Sequence, residues 1–512
     1  MNHRIKSLLI ALGGGILMGL SPAPTNAWYL AWFALVPLWF LVRSEKFLSW
    51  VILTGLVWGC GYHGLGLFWI TGVHPMTWMG VPWLASLLIA IFCWLFITFW
   101  GAVLVATWSI LFKLVINRLD RHTNKTYINS AIVVLVGVAL WCGLETLWSY
   151  GSLWWTSLSY TQSPNNLAIL QLGKISGFST ITAVIVAVNG LLTEVVLSWR
   201  SYKRQTWLWL SPLSIFIVSH AWGYYLYQYP IAVENLEPIE VGIVQGNVPN
   251  EIKLSPTGWR KAIQGYTTGY EKLARQGVDV VLTPETALPF YWHNIIDNSE
   301  FYRTVTKNRV PVWVGAFGES DRGYTNSLFT LTAQGKTFSR YDKYKLVPLG
   351  EYIPFEPILG KLVDRLSPLE AHLIPGKPNP VFDTPFGKAI VGICYESAYS
   401  EHFRRQAKAG GEFIITSSNN AHYSTTMPAQ HHAQDVMRAI ESDRWAARAT
   451  NTGYSAIVDP RGNTLWISPL EQYAIHAGTI YRRQHQTLYV RWGNWLTPTL
   501  ILLGVVSISI RK

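Results

Sequence analysis

The feature that most constrains the fold of this chain is a series of long apolar runs in its first 230 residues and at its C-terminus. Eight runs approach or exceed the length of a membrane span: 7–20, 28–42, 50–73, 81–112, 132–148, 180–199, 207–227 and 492–510. A helix needs about 20 apolar residues to cross a bilayer. Half of the 512 residues are hydrophobic and only 14% are charged, which is unusual for a soluble protein. We therefore expect a polytopic α-helical membrane bundle of eight spans.

Basic residues on the short loops indicate how such a bundle is oriented. They fall on alternate loops, at Arg4, Lys6, Arg43, Lys46, Lys113, Arg118, Arg121, Lys125, Arg200, Lys203, Arg204, Arg511 and Lys512. Positively charged loops stay in the cytoplasm, so we expect both termini there and the segment between spans seven and eight outside. Dividing the run 81–112 would break the alternation, so it predicts one long helix. The net charge of +12 is not concentrated in a basic tract of the kind that binds nucleic acid.

From residue 238 to 489 the composition changes to that of a soluble α/β domain. Runs typical of strands occur at 239–244, 278–282, 310–314, 327–331, 389–393 and 413–416, with helical stretches at 258–276 and 427–449. This alternation predicts a layered sheet covered by helices. We expect three parts: a bundle of seven spans over 1–230, a catalytic domain over 238–489, and an eighth span with a cytoplasmic tail over 490–512.

Three chemically capable side chains follow predicted strands of this domain. Glu285 stands in the sequence TPET, Lys343 opens a stretch that contains Glu351, and Cys394 ends the run 389–393. A lone cysteine is often just a small buried hydrophobe. Beside a carboxylate and an ammonium it forms a set suited to acyl transfer, because a thiol of pKa ~8.5 needs a base at neutral pH. Glu285 is the candidate base, and Lys343 with the amide of Tyr395 is the candidate oxyanion site.

These residues and their flanks resemble the Glu-Lys-Cys triad of the nitrilase superfamily. The match to its membrane branch, the apolipoprotein N-acyltransferases, extends over essentially the whole chain. It rests on these elements: KYKLVPLGEYIP at 343–354, CYES at 394–397, SNNAHYS at 418–424, Gln430-His431, TNTG at 450–453, Leu144-Glu145 and SYTQ at 159–162. The chain departs from the usual pattern at Thr283 and Thr286 and at Asn420, His422 and Tyr423.

The resemblance implies a nitrilase-like α-β-β-α sandwich and a two-step reaction. Cys394 would take an acyl group from a phospholipid as a thioester, and the N-terminal diacylglyceryl-cysteine of a lipoprotein would accept it. It further implies a bacterial inner membrane, a phosphatidylethanolamine-like donor and no cofactor; we expect a monomer. Two alternatives remain: a membrane-tethered amidase or nitrilase that uses water as acceptor, and a non-enzymatic scaffold or transporter.

Further residues are candidates for support of the site. Glu351 would orient the lysine or the incoming amine, the alternative being a surface turn residue, and Glu396 either supports the site or closes a structural salt bridge. Glu145 lies inside or at the edge of a span, where we expect it to line a cavity or to pair within the bundle, without a chemical role. The spacing of His422, His431 and His432 fits no standard zinc pattern, so we expect no metal.

Residues that would meet the substrates lie in two segments. The substrate-loop candidates are Asn419, His422 and Tyr423 in one segment and Phe355, Leu359 and Leu362 in the other. The second segment, 355–374, has apolar residues at spacings of three and four, which predicts a helix with one apolar face. We expect it to form a mobile lid at the membrane surface.

Overall fold

The computed structural model describes residues 3–122, 128–198, 206–231, 237–321, 323–352 and 373–510. The chain divides into two compact units. The first comprises Met1–Thr71, Ile89–Tyr229 and Trp492–Lys512, and the second comprises Gly72–Leu88 and Pro230–Arg491. The segment Gly72–Leu88, which the apolar pattern assigns to the bundle, thus groups with the unit that contains the strands.

The first unit is helical. Its longer helices are α1 (His3–Gly19), α2 (Val36–Ser44), α3 (Leu48–Gly66), α4 (Trp83–His122, which begins in the second unit), α5 (Ile128–Ser149), α8 (Phe178–Ser198), α9 (Thr206–Gln228) and α17 (Leu496–Ser509). Two single turns, α6 (Leu167–Leu170) and α7 (Gly173–Ser176), precede α8. The 40 residues of α4 form one continuous helix, which confirms the expectation for the run 81–112.

Three of these helices are long and apolar enough to cross a membrane within the described residues. They cover Trp83–Leu119, Ser130–Ser149 and Phe178–Ser198. The core of the unit holds several fully buried indoles, among them Trp39, Trp58, Trp108 and Trp141. Their rings pack on one another, as in the 5.2 Å contact of Trp39 with Trp108. The length and composition of the helices indicate a membrane protein.

The second unit contains two six-stranded sheets. The strands are β1 (Pro238–Gln245), β2 (Val280–Leu282), β3 (Val312–Ser320), β4 (Gly323–Leu331), β5 (Thr337–Asp342), β6 (Phe382–Thr384), β7 (Gly387–Ile393), β8 (Phe413–Ser418), β9 (Ala446–Thr450), β10 (Ala456–Val458), β11 (Thr464–Ile467) and β12 (Ala474–Tyr481). One sheet has the order β12-β1-β2-β3-β4-β5 and the other β11-β10-β9-β8-β7-β6. Their common core combines Val280 and Trp313 of the first sheet with Val391 and Ile415 of the second.

Helices cover the outer faces of the two sheets. The helices of this unit are α10 (Asn250–Lys253), α11 (Pro256–Gln276), α12 (Trp292–Asn298), α13 (Glu300–Asn308), α14 (Ser400–Lys408), α15 (Thr426–Ser442) and α16 (Leu488–Trp492). Tyr270 of α11 and Phe301 of α13 share a core with Val281 of β2. On the other side a Cβ on Gly392 of β7 would lie 2.4 Å from the ring of Phe403 in α14. The layers are therefore helix, sheet, sheet and helix.

The parallel strands of both sheets end at the edge where the candidate residues lie. β1, β2 and β3 are parallel neighbours in the first sheet, and β7, β8 and β9 are parallel neighbours in the second. Glu285 comes shortly after β2, Cys394 directly after β7 and Asn419 directly after β8. Lys343 follows β5. The carboxyl ends of strands from both sheets thus supply the candidate site.

Candidate active site

Cys394 follows β7 and has a strained backbone. Its φ of 51° lies in the left-handed region, which residues other than glycine seldom adopt. The side chain is buried, and its Sγ lies 3.8 Å from the backbone oxygen of Asn419. Strain of this kind costs about 1–3 kcal/mol and occurs mainly at functional sites. The strand end therefore holds the thiol in a fixed and uncommon conformation.

Lys343 joins two carboxylates beside this strand end. Its Nζ donates to Oε1 of Glu285 at 2.9 Å and to Oε1 of Glu351 at 2.8 Å, and its side chain is 1% exposed. The other carboxylate oxygen of Glu351 accepts from the backbone N–H of Val347 at 2.8 Å. Glu351, eight residues after Lys343, therefore fixes the direction of the ammonium group.

Two asparagines complete the surroundings of Glu285. Asn326 Nδ2 donates to Oε1 of Glu285 at 2.6 Å and to Oε1 of Glu351 at 3.2 Å. The backbone N–H of Asn419 donates to Oε2 of Glu285 at 2.8 Å. Asn419 thus contacts the candidate base through its N–H and the thiol through its carbonyl oxygen. It stands among the predicted substrate-loop residues, whereas no sequence pattern distinguishes Asn326, a single asparagine within β4.

Burial and charge set the protonation states of these groups. Burial, reinforced by the charge of Glu285, raises the pKa of Cys394 to about 12, although Lys343 acts in the opposite direction. Burial also tends to raise the pKa of Glu285, but the charge and hydrogen bond of Lys343 outweigh it, and the net pKa is lowered. Burial tends to lower the pKa of Lys343, yet Glu285 and Glu351 raise it well above its usual value. At rest the thiol is neutral beside an ionised Lys343–Glu285 pair.

Glu396 connects the lysine segment to the cysteine strand. Its Oε1 accepts from the backbone N–H groups of Tyr344 and Lys345, at 2.7 and 3.1 Å. Its Oε2 accepts from the hydroxyl of Tyr341 at 2.6 Å and from the N–H of Ile393 at 2.7 Å. These bonds hold the residues on either side of Lys343 against the end of β7, so Glu396 supports the position of the lysine relative to the thiol.

Tyr395 and His431 flank the cysteine. The half-buried ring of Tyr395 packs edge-on against Tyr399, with ring centroids 5.3 Å apart. The Nε2 of buried His431 donates to the carbonyl oxygen of Cys394 at 2.8 Å, and its Nδ1 lies 3.1 Å from Nδ2 of Asn420. Burial, reinforced by the charge of Arg448, lowers the pKa of His431 to about 3. Neutral His431 therefore fixes the Cys394 carbonyl, a role that the sequence pattern Gln430-His431 does not specify.

The substrate-loop candidates divide into two groups. His422 Nδ1 lies 2.8 Å from Nδ2 of Asn250, and its ring lies 6.5 Å from that of Trp78. The ring of Tyr423 lies 6.1 Å from that of His422, and burial, followed by the charge of Cys394, raises the pKa of Tyr423. Phe355, Leu359 and Leu362, and with them the predicted lid as far as residue 372, lie outside the described residues. Within the described ranges no group of three or more His, Cys, Asp or Glu side chains could hold a metal ion.

Two protein-family models match the chain. A carbon-nitrogen hydrolase model covers residues 240–482, which contain both sheets and the cluster around Cys394. A model of the apolipoprotein N-acyltransferase N-terminal domain covers residues 14–191. Together they match both the helical unit and the unit of the sheets.

Full-length relatives are similar over nearly the whole chain. The chain is 56% identical over 497 residues to the apolipoprotein N-acyltransferase of Nostoc sp., covering 96% of this chain and 97% of that protein. It is 50% identical over 511 residues to the protein of the same name from Synechocystis sp., covering 96% and 98%. Among solved structures, an amidase from Nesterenkonia sp. is similar with a TM-score of 0.36 and 17% identity, over 50% of this chain and 92% of that one.

Proposed function

The chain belongs to the apolipoprotein N-acyltransferase family, and we propose that it moves an acyl chain from a phospholipid to the N-terminal diacylglyceryl-cysteine of lipoproteins through a thioester on Cys394. The observation that carries the mechanism is the buried cluster in which Lys343 bridges Glu285 and Glu351 beside a strained, buried thiol. This cluster joins a nucleophile, a base and a cation, the parts that acyl transfer needs.

In the first half-reaction the sulfur of Cys394 attacks the ester carbonyl of the phospholipid. A thiol of pKa about 12 is almost entirely protonated at neutral pH, so its proton must leave during the attack, and Glu285 accepts it. The carbonyl oxygen becomes an oxyanion, which the ammonium of Lys343 and the amide of Tyr395 stabilise. When the intermediate collapses, the C–O bond breaks and the lysophospholipid oxygen takes the proton from Glu285.

In the second half-reaction the α-amine of the diacylglyceryl-cysteine attacks the thioester. A C–N bond forms, Glu285 accepts a proton from the nitrogen, and the oxyanion is stabilised as before. The C–S bond then breaks and the proton returns to the sulfur of Cys394. Both half-reactions use Glu285 first as base and then as acid, which requires a carboxylate that is ionised at rest. The Lys343 charge and hydrogen bond satisfy this requirement.

We place the chain in a bacterial inner membrane as a monomer with eight spans, both termini in the cytoplasm and the catalytic unit outside. The support is the alternation of basic loops and the overlap of the predicted spans with helices α1 to α5, α8, α9 and α17. An extracytoplasmic catalytic unit would meet lipoproteins after export, when their N-terminal cysteine lies at the outer surface of this membrane.

Mass spectrometry of a lipopeptide tests the activity directly. The full-length chain is reconstituted in vesicles that contain phosphatidylethanolamine and a synthetic diacylglyceryl-cysteine peptide. We expect the peptide to gain the mass of one acyl group, and Cys394→Ser to abolish the gain because Glu285 is not expected to activate a far less acidic hydroxyl. Cys60→Ser, which changes another thiol, serves as the matched control. Release of free fatty acid without acylated peptide would instead establish a hydrolase.

Thiol labelling tests the orientation. In a chain whose four native cysteines are replaced by alanine, single cysteines are placed at exposed Gln334, in the turn between β4 and β5, and at exposed Ser44, at the end of α2. An impermeant maleimide added to intact spheroplasts should label Gln334→Cys and leave Ser44→Cys unlabelled until the membrane is permeabilised. The reverse pattern would overturn the orientation.

A further inference from the structure

Lys253 is a second buried lysine beside Glu285. It is the last residue of α10, it is 6% exposed, and its Nζ donates to the backbone oxygen of Glu285 at 3.2 Å. Among the residues that the structure describes, no carboxylate forms a salt bridge with this ammonium, whereas Lys343 has two such partners. A buried charge without a carboxylate partner is costly, so its position calls for a physical explanation.

The backbone around Lys253 is built to hold it in place. A Cβ on Gly258, in the first turn of α11, would lie 1.9 Å from the carbonyl oxygen of Ile252 and 2.9 Å from Cα of Lys253. The N–H and the hydroxyl of Ser255 both donate to that same oxygen of Ile252, at 2.8 and 2.7 Å. Only glycine at position 258 permits this close approach, and it fixes the point from which the lysine extends toward Glu285.

The charges of the site explain what a second ammonium would do. Glu285 and Glu351 share the single charge of Lys343. Two carboxylates with one ammonium leave an excess negative charge in a buried site. Burial and the charge of Glu285 raise the pKa of Glu351, even though Lys343 acts against them. A second positive charge restores neutrality to the cluster.

We propose that Lys253 is a positioning residue of the acyl-transfer site, which holds the backbone of Glu285 and supplies the second positive charge that keeps the Glu285 carboxylate ready to accept the proton of Cys394. The inference rests on the proposed function, because it assigns Lys253 to the same thioester chemistry. It adds a fourth charged group to the set formed by Glu285, Lys343 and Glu351.

The titratable groups that interact with Lys253 follow strands of both sheets. Burial lowers the pKa of Lys253 to about 8, while the charges of Glu285 and Cys394 raise it and that of Lys343 lowers it. In return Lys253 is among the charges that lower the pKa of Glu285, after Lys343. Burial and then the charge of Lys253 lower the pKa of His422 to about 4. His422 is therefore neutral near neutral pH, so that Lys253 and Lys343 are the cations of this cluster within the described part of the chain.

The charge of Lys253 acts on the pKa of Glu285 in a definite direction. A neighbouring cation lowers the pKa of a carboxylate, and Lys253, whose Nζ contacts the backbone oxygen of Glu285, acts in this direction on Glu285. Removing the charge of Lys253 should therefore raise the pKa of Glu285, so that the base becomes protonated at a higher pH. A residue that merely fills space would instead slow the reaction by the same factor at every pH.

Alkylation of Cys394 by iodoacetamide measures this difference without a lipid substrate. In that reaction the C–S bond forms, iodide leaves and Glu285 accepts the thiol proton. The rate is followed on the full-length protein in detergent by mass spectrometry of the peptide that contains Cys394. The variants are Lys253→Gln, which keeps a donor for the Glu285 carbonyl, and Lys253→Met, which removes the donor as well. Lys272→Met, at an exposed lysine of α11, is the matched control.

We expect the acidic limb of the alkylation rate to move to higher pH by about 1 unit or more in Lys253→Gln and Lys253→Met, and to stay in place in Lys272→Met. A uniform decrease in rate with an unchanged midpoint in Lys253→Gln would overturn the assignment. If Lys253→Met does not fold, Lys253→Gln alone decides. Failure of the wild-type chain to acylate the lipopeptide would contradict the proposed function, whereas an unchanged pH profile in an active enzyme would contradict only the role of Lys253.

Discussion

Glu145 in the helical unit and Glu285 in the unit of the sheets are both buried carboxylates, but their surroundings differ. Glu145 accepts from four neutral donors: the N–H of Leu158 at 2.8 Å, the indole of Trp141 at 3.2 Å and the hydroxyls of Ser157 and Thr182 at 3.0 and 2.8 Å. Within the described part of the chain it has no salt-bridge partner. Glu285 combines two neutral donors with the ammonium of Lys343.

The difference separates a structural acid from a reactive one. Neutral donors hold the Glu145 carboxylate in a network that joins α5, α8 and the turn Leu158–Gln162. Such a network is costly to disturb, and the nearby thiol of Cys142, one turn before Glu145 in α5, donates to the backbone oxygen of Ser179 at 3.7 Å. Glu285 belongs to a cluster of charged groups beside Cys394, where a change in the charge of one group alters the others. Burial alone does not identify a catalytic acid, since Glu441 and Asp435 are buried in ion pairs too; the position of Glu285 beside a strained thiol is what supports its proposed role.

The largest effects are expected from matched Glu→Gln substitutions at the two positions. Glu285→Gln should lower the rate of acyl-enzyme formation by about 10²–10⁴, the contribution of a general base, and leave thermal unfolding close to that of the wild type. Glu145→Gln should leave alkylation of Cys394 unchanged and lower the stability by about 1–3 kcal/mol, because its donors lose part of their acceptor. An equal loss of acyl-enzyme in Glu145→Gln without loss of stability would remove the distinction.

Removal of the bridging cation should have the next largest effect. Lys343→Met leaves Glu285 and Glu351 facing each other and removes an oxyanion donor, so acyl-enzyme formation should fall by about 10²–10³. Lys345→Met is the control, since its ammonium lies over the rings of Tyr344 and Tyr399 instead of between carboxylates. Burst kinetics with an activated ester measure both. Wild-type acyl-enzyme levels in Lys343→Met would refute the oxyanion role.

Removal of a single hydrogen-bond donor from Glu285 and of one from Glu145 tests the comparison with smaller expected effects. Asn326→Ala removes one donor from Glu285 and Glu351 and should slow acyl-enzyme formation about tenfold, since a hydrogen bond to a charged group contributes about 1.5–3 kcal/mol. Thr182→Val removes one donor from Glu145 and should lower the melting temperature without changing the acylation rate. If Thr182→Val slows acylation as much as Asn326→Ala does, the helical network takes part in the chemistry.

The pH profile of the wild-type thiol gives the smallest expected change. The pKa of Cys394 is about 12 and that of Glu285 is lowered, so neither group titrates near neutrality. Below the pKa of Lys253, about 8, reactivity toward iodoacetamide should therefore stay constant and fall only as acid protonates Glu285. A free thiol such as N-acetylcysteine, in contrast, gains reactivity as the pH approaches ~8.5. A midpoint near that value for Cys394 that persists in Lys253→Gln would mean that the thiol ionises independently of Glu285.

Much of the candidate site could be read from local patterns because its groups follow strands. Two of its residues, Glu285 and Cys394, follow runs that read as strands, and Lys343 opens the family element at 343–354. The structure brings Glu285 and Lys343 into contact. Asn326 and Lys253 give no such signal. Asn326 reaches the site because β4 and β5 pair in antiparallel register, which brings its carbonyl oxygen within 2.8 Å of the N–H of Lys343.

The sequence by itself indicated the membrane character and the α/β composition of 238–489 and supplied the proposed nucleophile, base and cation, since hydrophobic periodicity and residue chemistry are local properties. The tertiary structure alone decided which neutral groups complete the site, the strained φ of Cys394 and the close approach of Gly258 that directs Lys253 toward Glu285. These depend on strand register and on contacts between residues distant in the chain. A hydrogen bond or a pKa is set by the distance between two groups in space, and only the folded chain determines that distance.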